Sequence, residues 1–114
     1  MVKYSKLPDM AGGDMMNMNK IHTEEMKRFY KAILTLESEE DCRAFFEDIC
    51  TINELEDISQ RLEVAEMLNS GKNYQEICKK TGASTATICR VNKCLNYGSG
   101  GYKKAIAKIT DGEK

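Results

Sequence analysis

The sequence predicts an all-α fold, and three observations support this prediction. From Thr23 onward, apolar residues recur at three- and four-residue steps, as they do along one face of a helix. Residues that favour helix N-termini stand immediately before several of these runs. No segment shows the sustained alternation of β-branched residues that is typical of strands. With 114 residues, 41% of them hydrophobic and none of them Trp, the chain is long enough for one domain with a largely aliphatic core.

Three helices are predicted in the first two thirds of the chain. The first follows the N-cap Thr23, the second begins at residues 38–41, where acids suit the positive end of the helix dipole, and the third follows the N-cap Asn53 and runs to Gly71. The apolar stripe of the first helix is Met26, Phe29, Tyr30, Ile33 and Leu34. The stripe of the second is Cys42, Phe45, Phe46, Ile49 and Cys50. The stripe of the third is Leu55, Ile58, Leu62, Ala65 and Leu68.

Residues 73–95 show the pattern of two short helices joined by a tight turn. Asn73 and Ser84 are the predicted N-caps, and Gly82 suits the left-handed backbone that a sharp exit from the first helix requires. The residues placed to pack the two helices together are Ile77, Cys78, Ile88 and Val91. This is the spacing of a helix-turn-helix, whose second helix enters the major groove of DNA. An ordinary helical hairpin shares the apolar spacing, but the glycine turn and the Ser-Thr-Ala-Thr opening of the second helix favour DNA contact.

The whole chain is predicted to consist of an arm, a domain and a tail. Residues 1–19 are rich in Met, Gly and Asn and follow neither a helical nor a strand period, so we expect a flexible arm. Residues 20–110 form the predicted helix-turn-helix domain, in which a glycine-rich hinge at 98–101 precedes a last helix at 102–110. Residues 111–114 are a short tail.

Charge is distributed unevenly along the chain, although the formal net charge is only −1. Residues 1–71 carry 8 basic and 15 acidic side chains, a net −7, whereas residues 72–110 carry 8 basic side chains and one acid, a net +7. Only the carboxy-terminal part is therefore expected to approach a polyanion such as double-stranded DNA. No apolar run is long enough to span a membrane, and the amino terminus lacks the apolar region of a secretory signal, so a cytoplasmic location is predicted.

The residues that enzymes and metal sites need are scarce. His22 is the only histidine, and the five cysteines include no CxxC pair, so the sequence predicts neither a catalytic centre nor a metal or cofactor site. The cysteines are expected to be reduced thiols that pack as small hydrophobes. A thiol switch that uses Cys89 and Cys94 is the alternative, although their spacing on one helix does not favour a direct disulfide.

On the second helix of the motif, the helical period predicts that Ile88, Val91 and Leu95 face inward and that Thr85, Ala86, Thr87, Cys89, Arg90, Asn92 and Lys93 face outward. The outward side supplies the predicted DNA contacts. Short side chains approach base edges and thymine methyls, and cationic ones reach guanine or phosphate. The residues predicted to read the bases are Thr85, Ala86, Thr87, Cys89, Arg90 and Lys93. The residues predicted to contact phosphate are Lys79, Lys80 and Ser84.

Residues 82–90, together with 50–55, 60–65 and 94–98, closely resemble the Trp repressor superfamily, in particular its YerC/YecD branch. The resemblance covers about residues 23–110 and stays in register through the third helix, the turn and the recognition helix. It implies an intertwined, all-helical homodimer with two reading heads, and by analogy a sequence-specific transcriptional repressor. A dimer also agrees with the reading of palindromic sites by two helices related by a twofold axis.

The same resemblance implies an effector site made by Arg61 and Arg90, with Cys94 near the amino group of a bound amino acid. Val91, however, stands where the tryptophan-binding member has glycine, and a branched side chain there fills the space that an indole ring needs. The sequence therefore argues against a tryptophan-like corepressor. Arg61 has an alternative role in a surface ion pair with Glu63 or Glu66.

A protein-interaction module is the alternative to a DNA-binding function. The helix-turn-helix fold serves that purpose when its second helix packs against another polypeptide. The salt dependence of the binding affinity distinguishes the two functions. Contacts with phosphate release counterions, so added salt weakens them strongly, whereas added salt has little effect on an apolar protein interface.

Overall fold

Six α-helices make up residues 23–113, the part of the chain that the computed structural model describes. They are α1 (Glu24–Ile33), α2 (Glu39–Ile49), α3 (Ile52–Asn69), α4 (Tyr74–Thr81), α5 (Thr85–Tyr97) and α6 (Gly101–Gly112). These residues contain no strand, which confirms the all-α prediction. The predicted arm at residues 1–19 and His22 lie outside the described residues.

The chain divides into two compact units, with the boundary between Phe45 and Phe46. In the first unit, the N-cap prediction at Thr23 is confirmed, because its side chain accepts a hydrogen bond from the amide of Met26 at 3.1 Å. The ring of Phe29 stacks on that of Phe45, with centroids 6.2 Å apart. Even so, neither α1 nor α2 contains a fully buried residue. Among residues 23–113, the predicted apolar stripes of these two helices are therefore at most partly buried.

The start of α3 differs from the prediction. Its N-cap is Thr51, not Asn53, which lies inside the helix. Thr51 Oγ1 accepts from the amide of Glu54 at 3.1 Å, and the Glu54 carboxylate accepts from the amide of Thr51 at 2.8 Å. This reciprocal capping box satisfies two orphan donors, whereas Asn53 alone would satisfy one, and so the box determines where the helix begins.

The core lies in the second unit, where α3, α4, α5 and α6 meet. Its buried residues are Val64, Ala65, Ile77, Ala83, Ile88, Val91 and Ile106. Two details of the predicted α3 stripe are wrong: Val64 is fully buried although the stripe omitted it, and Ile58 is 48% exposed. The inward set predicted for α5 is confirmed, since Ile88, Val91 and Leu95 are all buried. The recognition helix thus has a fixed inner face.

The last helix is longer than predicted, since α6 begins at Gly101 and ends at Gly112. The hinge before it depends on two glycines. A Cβ at Gly98 would collide with the carbonyl oxygen of Cys94, and Gly100 has the left-handed φ of 88°. These glycines let the chain turn sharply after α5 so that α6 packs back on α3 and α5.

Candidate nucleic-acid interface

The first helix of the motif, α4, is capped as the sequence predicts. Asn73 accepts from the amide of Glu76 at 2.9 Å, and the Glu76 carboxylate accepts from the amide of Asn73 at 3.1 Å. Glu76 is the only acidic residue in the basic segment at residues 72–110, and it takes part in this capping box. Its charge is therefore held at the start of α4.

The turn between α4 and α5 is fixed by several hydrogen bonds. Gly82 ends α4 with the left-handed φ of 77°, and its amide donates to the carbonyl of Cys78 at 2.9 Å. The hydroxyl of Thr81 donates to the carbonyl of Ile77 at 2.7 Å and accepts from the amide of Ala83 at 3.0 Å. The three-residue turn therefore sets the angle at which α5 leaves it.

A side chain from α3 secures this turn from outside the motif. The amide of Gln60 donates to the carbonyl of Thr81 at 3.1 Å, and the side chain of Gln60 is half-buried. This long-range contact ties the end of α4 to α3. No local pattern predicts this contact, because Gln60 lies 21 residues before Thr81.

The recognition helix, α5, begins at the predicted N-cap. Ser84 Oγ accepts from the amide of Thr87 at 3.1 Å and donates to Thr87 Oγ1 at 3.1 Å. Ser84 and Thr85 are exposed. Because the remaining first-turn amides have no intrahelical partner, this end of α5 is able to bind an anion.

One exposed stripe runs along α5. It consists of Ala86, Cys89, Arg90 and Lys93, which recur at three- and four-residue steps. Neither Arg90 nor Lys93 forms an ion pair with a described carboxylate. Lys79 and Lys80 are also exposed, in the last turn of α4. The cationic members of the predicted contact set are therefore exposed and form no ion pair with a carboxylate of residues 23–113.

Two outward predictions on α5 are only partly met. Thr87 and Asn92 are half-buried, whereas the sequence placed both on the outer side. Thr87 lies at the edge of the helix, where its hydroxyl is engaged by Ser84. A DNA base is therefore reached more easily by the exposed stripe than by Thr87.

Tyr74 is a residue that the sequence analysis missed. It is the first residue of α4 and packs, half-buried, against the core. Burial raises the pKa of its phenol, the Cys89 thiol raises this pKa further, and the Asn92 side chain lowers it. Tyr74 thus links the start of α4 to the middle of α5. No periodicity within one helix reveals such a contact between helices.

The predicted effector residues lie in the same unit. Arg61 and Arg90 are exposed, and Cys94 is half-buried. Arg61 forms no ion pair with Glu63 or Glu66, contrary to the alternative expectation. Val91 is only 1% exposed and belongs to the core cluster, so its side chain occupies interior space.

A separate cleft of about 900 Å³ opens beside the first half of α3. Its lining consists of Glu47, Cys50, Thr51, Ile52, Leu55, Glu56, Ser59, Gln60, Glu63 and Thr81. None of the predicted effector or DNA-contacting residues is among them. Its carboxylates make it unsuitable for a polyanion.

Residues 23–113 lack two further features. No group of three or more histidine, cysteine or acidic side chains is arranged to hold a metal ion. None of these helices combines the length and the apolar character that crossing a bilayer demands.

Comparison with known proteins identifies the family. The family model described as Trp repressor protein matches residues 24–110, which include all six helices except the last two residues of α6. The chain belongs to the Trp repressor family. The resemblance noted in the sequence is thereby confirmed, and this is a family of regulatory DNA-binding proteins.

Its relatives include the uncharacterised protein YerC of Bacillus subtilis (strain 168), which is 46% identical over 98 residues, or 86% of this chain and 94% of YerC. Among solved structures, a TrpR-like protein from Eubacterium eligens ATCC 27750 is 48% identical with a TM-score of 0.78, over 81% of this chain and 95% of that one. A candidate Trp repressor from Staphylococcus aureus is 41% identical with a TM-score of 0.78, over 82% of this chain and 93% of that one.

Proposed function

We propose that this Trp repressor family member is a sequence-specific transcriptional regulator that reads the major groove of double-stranded DNA as a homodimer. The observation that carries the proposal is the exposed stripe of α5 on a helix whose opposite face is locked into the core. A recognition helix needs both features, because base readout requires a free cationic surface held at a fixed angle. Repression follows from family analogy.

The roles of the contact residues follow from their chemistry. Arg90 suits a bidentate contact with guanine, and Lys93 reaches a base or a neighbouring phosphate. The exposed Ala86 and Cys89 leave room for close approach to base edges and thymine methyls. Thr85 and Thr87 stay as predicted contacts at the start of the helix, with Thr87 at its edge.

Phosphate contacts are assigned to the two helix ends that flank the turn. Lys79 and Lys80 stand in the last turn of α4, and Ser84 caps α5. The free amides at the start of α5 add donors for a phosphate oxygen. Together these groups fix the orientation of the recognition helix, α5, on the DNA backbone.

The homodimer is proposed because, among residues 23–113, no residue of α1 or α2 is fully buried. Leu34 is 83% exposed, and Met26 and Tyr30 of the same apolar stripe are also exposed. A second copy of the chain would cover these faces and would bring a second recognition helix to the DNA. Two half-sites then explain how such a small motif attains useful specificity.

We assign no role to a tryptophan-like corepressor. The arginine pair and Cys94 suit an amino-acid ligand in their chemistry, since an arginine fork donates two hydrogen bonds to a carboxylate. The buried Val91 side chain opposes an indole ring, because a packed interior does not accept the added volume. The helix-turn-helix is therefore expected to bind DNA without tryptophan.

The cap of α5 offers a test of this function that separates folding from DNA contact. We expect Ser84→Ala to destabilise the protein by about 1 kcal/mol, because the Thr87 amide loses its partner. Ser84→Asp keeps a good cap and restores stability, but its carboxylate repels phosphate and lowers DNA affinity by about tenfold. The measurements are the thermal melting temperature and binding to labelled duplex at about 50 and about 200 mM salt.

The control is Thr51→Asp, which places the same charge at the N-cap of α3. It is expected to leave DNA affinity within about twofold of the unmodified protein. If Ser84→Asp binds duplex as tightly as the unmodified protein, or if binding does not depend on salt, this end of α5 does not face phosphate. Binding that is independent of salt would favour a protein-interaction module.

A further inference from the structure

We propose that Gln60 is a positioning residue for DNA readout, because its hydrogen bond to the carbonyl of Thr81 holds the start of the recognition helix, α5, in place. The inference rests on the proposed DNA-binding function and adds to it a residue outside the helix-turn-helix. Gln60 belongs to α3, so it acts on readout through the turn between α4 and α5.

The first support is the hydrogen bond itself. The side-chain amide of Gln60 donates to the carbonyl of Thr81 at 3.1 Å, a distance within the normal range for such a bond. Thr81 is the last residue of α4, and the last carbonyls of a helix have no partner inside it. No backbone amide of the turn, residues 82–84, donates to this carbonyl. Gln60 therefore supplies a donor that the turn lacks.

The second support is the set of bonds that connects Thr81 to α5. The hydroxyl of Thr81 donates to the carbonyl of Ile77 at 2.7 Å and accepts from the amide of Ala83 at 3.0 Å. Ala83 directly precedes Ser84, the N-cap of α5. A displacement of Thr81 would therefore pass through Ala83 to the first turn of the recognition helix.

The third support is the firm anchoring of α3 next to Gln60. Gln60 lies four residues before Val64, and residues four apart lie on the same face of a helix. Val64 has no exposed surface and belongs to the core cluster. The donor is thus carried by a helix that the core holds, which is what a precise positioning contact requires.

Apolar packing alone restrains the start of α5 less sharply. Ala83 and Ile88 are the buried residues nearest to this end, and the burial of apolar surface has no preferred direction. A hydrogen bond weakens steeply when its donor and acceptor are misaligned. The N-terminal residues of a recognition helix are the ones that contact base edges. The bond therefore acts at the end of α5 where the angle matters most.

A small change of angle at the turn is enough to disturb readout. Arg90 lies five residues after Thr85, which corresponds to about 7.5 Å along the axis of α5. A tilt of about 10° at Thr85 would move Arg90 by about 1.3 Å, which exceeds the spread of about 0.5 Å among normal hydrogen-bond distances. The attraction to phosphate does not depend on sequence and should change little. The loss is therefore expected in discrimination between duplexes.

The test compares Gln60→Met, Gln60→Lys and, as a matched control, Asn53→Met in the full chain. Methionine removes the donor but keeps an unbranched side chain with a similar helix propensity, whereas lysine keeps a donor. Asn53→Met removes an exposed amide from the first turn of the same helix. The affinity for a selected duplex is divided by that for a scrambled duplex, so that the effect of the added lysine charge cancels.

We expect Gln60→Met to weaken binding to the selected duplex by about tenfold and to leave binding to the scrambled duplex within about twofold. Gln60→Lys and Asn53→Met should keep the affinity ratio of the unmodified protein within about twofold. The melting temperature of Gln60→Met should fall by only about 4 °C, because one hydrogen bond is lost and no cavity is made.

Nuclear magnetic resonance of the free protein forms a second arm that does not involve DNA. The amide nitrogen of Gly82 shares a peptide group with the Thr81 carbonyl, so its chemical shift responds to loss of the Gln60 bond. We expect Gln60→Met to move this resonance and to speed hydrogen exchange at the amides of Gly82 and Ala83 by about fivefold. Asn53→Met should change neither.

The inference is wrong if Gln60→Met keeps the affinity ratio of the unmodified protein, even if the Gly82 resonance moves, because the bond would then be structural only. It is equally wrong if Gln60→Lys discriminates between the duplexes as poorly as Gln60→Met, because a donor at this place would not restore readout. If the unmodified protein binds no duplex, the proposed function fails, and the magnetic resonance comparison alone decides whether Gln60 holds the turn.

Discussion

Replacing Arg90 by alanine is expected to weaken specific DNA binding by about ten- to hundredfold while leaving the fold intact. The guanidinium is exposed on α5, forms no ion pair with a described carboxylate, and is the group best suited to a guanine edge. Each such contact contributes about 1–3 kcal/mol of discrimination. Because the side chain is exposed, the free energy of unfolding should change by no more than about 0.5 kcal/mol.

The measurement is fluorescence anisotropy with a selected duplex and with a scrambled one, alongside thermal melting. Arg43→Ala is the matched control, because Arg43 is an exposed arginine on α2 that forms only a surface ion pair with Glu40 at 3.6 Å. It should bind both duplexes as the unmodified protein does. An Arg90→Ala protein that still distinguishes the two duplexes would show that Arg90 does not read the bases.

Replacing Leu34 by lysine is expected to convert a dimer into a monomer and to reduce DNA affinity by about a hundredfold or more. Leu34 is 83% exposed in the single chain, so the substitution removes little intrachain packing. A lysine also suits the C-terminal end of α1, where it follows the last helical residue. In an apolar interface, however, the ammonium group loses water without gaining a partner. Loss of the second reading head then removes the gain from bivalent binding.

The measurements are the sedimentation-derived mass and the affinity for duplex. Glu37→Gln is the control, since it changes the net charge by the same amount at an exposed position three residues away. It should remain dimeric and should bind DNA normally. If Leu34→Lys keeps the mass of an unmodified dimer, this face does not form the interface. If the Leu34→Lys protein and the unmodified protein are both monomers that bind DNA well, the homodimer proposal is wrong.

Local signals in the sequence predicted most of the helix-turn-helix formed by α4 and α5. Asn73, Gly82 and Ser84 each act through hydrogen bonds or dihedral preferences within a few residues, so their roles were visible without the structure. The inward set of α5 followed from a helical period over 13 residues. Local signals were insufficient where two nearby residues could both cap a helix. Asn53 is a good N-cap by residue type, but the two hydrogen bonds between Thr51 and Glu54 place the N-cap of α3 at Thr51.

Contacts between helices were beyond the reach of periodicity. Nothing in the spacing of residues relates Gln60 to the carbonyl of Thr81, because this contact depends on the angle at which the helices pack. Exposure was also misjudged at Ile58, which fits the helical stripe of α3 and yet faces solvent in the single chain. A stripe predicts an apolar face, but it does not show whether the same chain covers that face.

Selection of bound fragments from a random duplex pool is the most direct test of the central claim, which is that two copies of α5 read the major groove together. We expect enrichment of inverted repeats whose half-sites have centres about ten base pairs apart, and we expect Arg90→Ala to lose the most strongly enriched positions. An enriched pool without inverted symmetry, or a pool indistinguishable from the input, would contradict the claim.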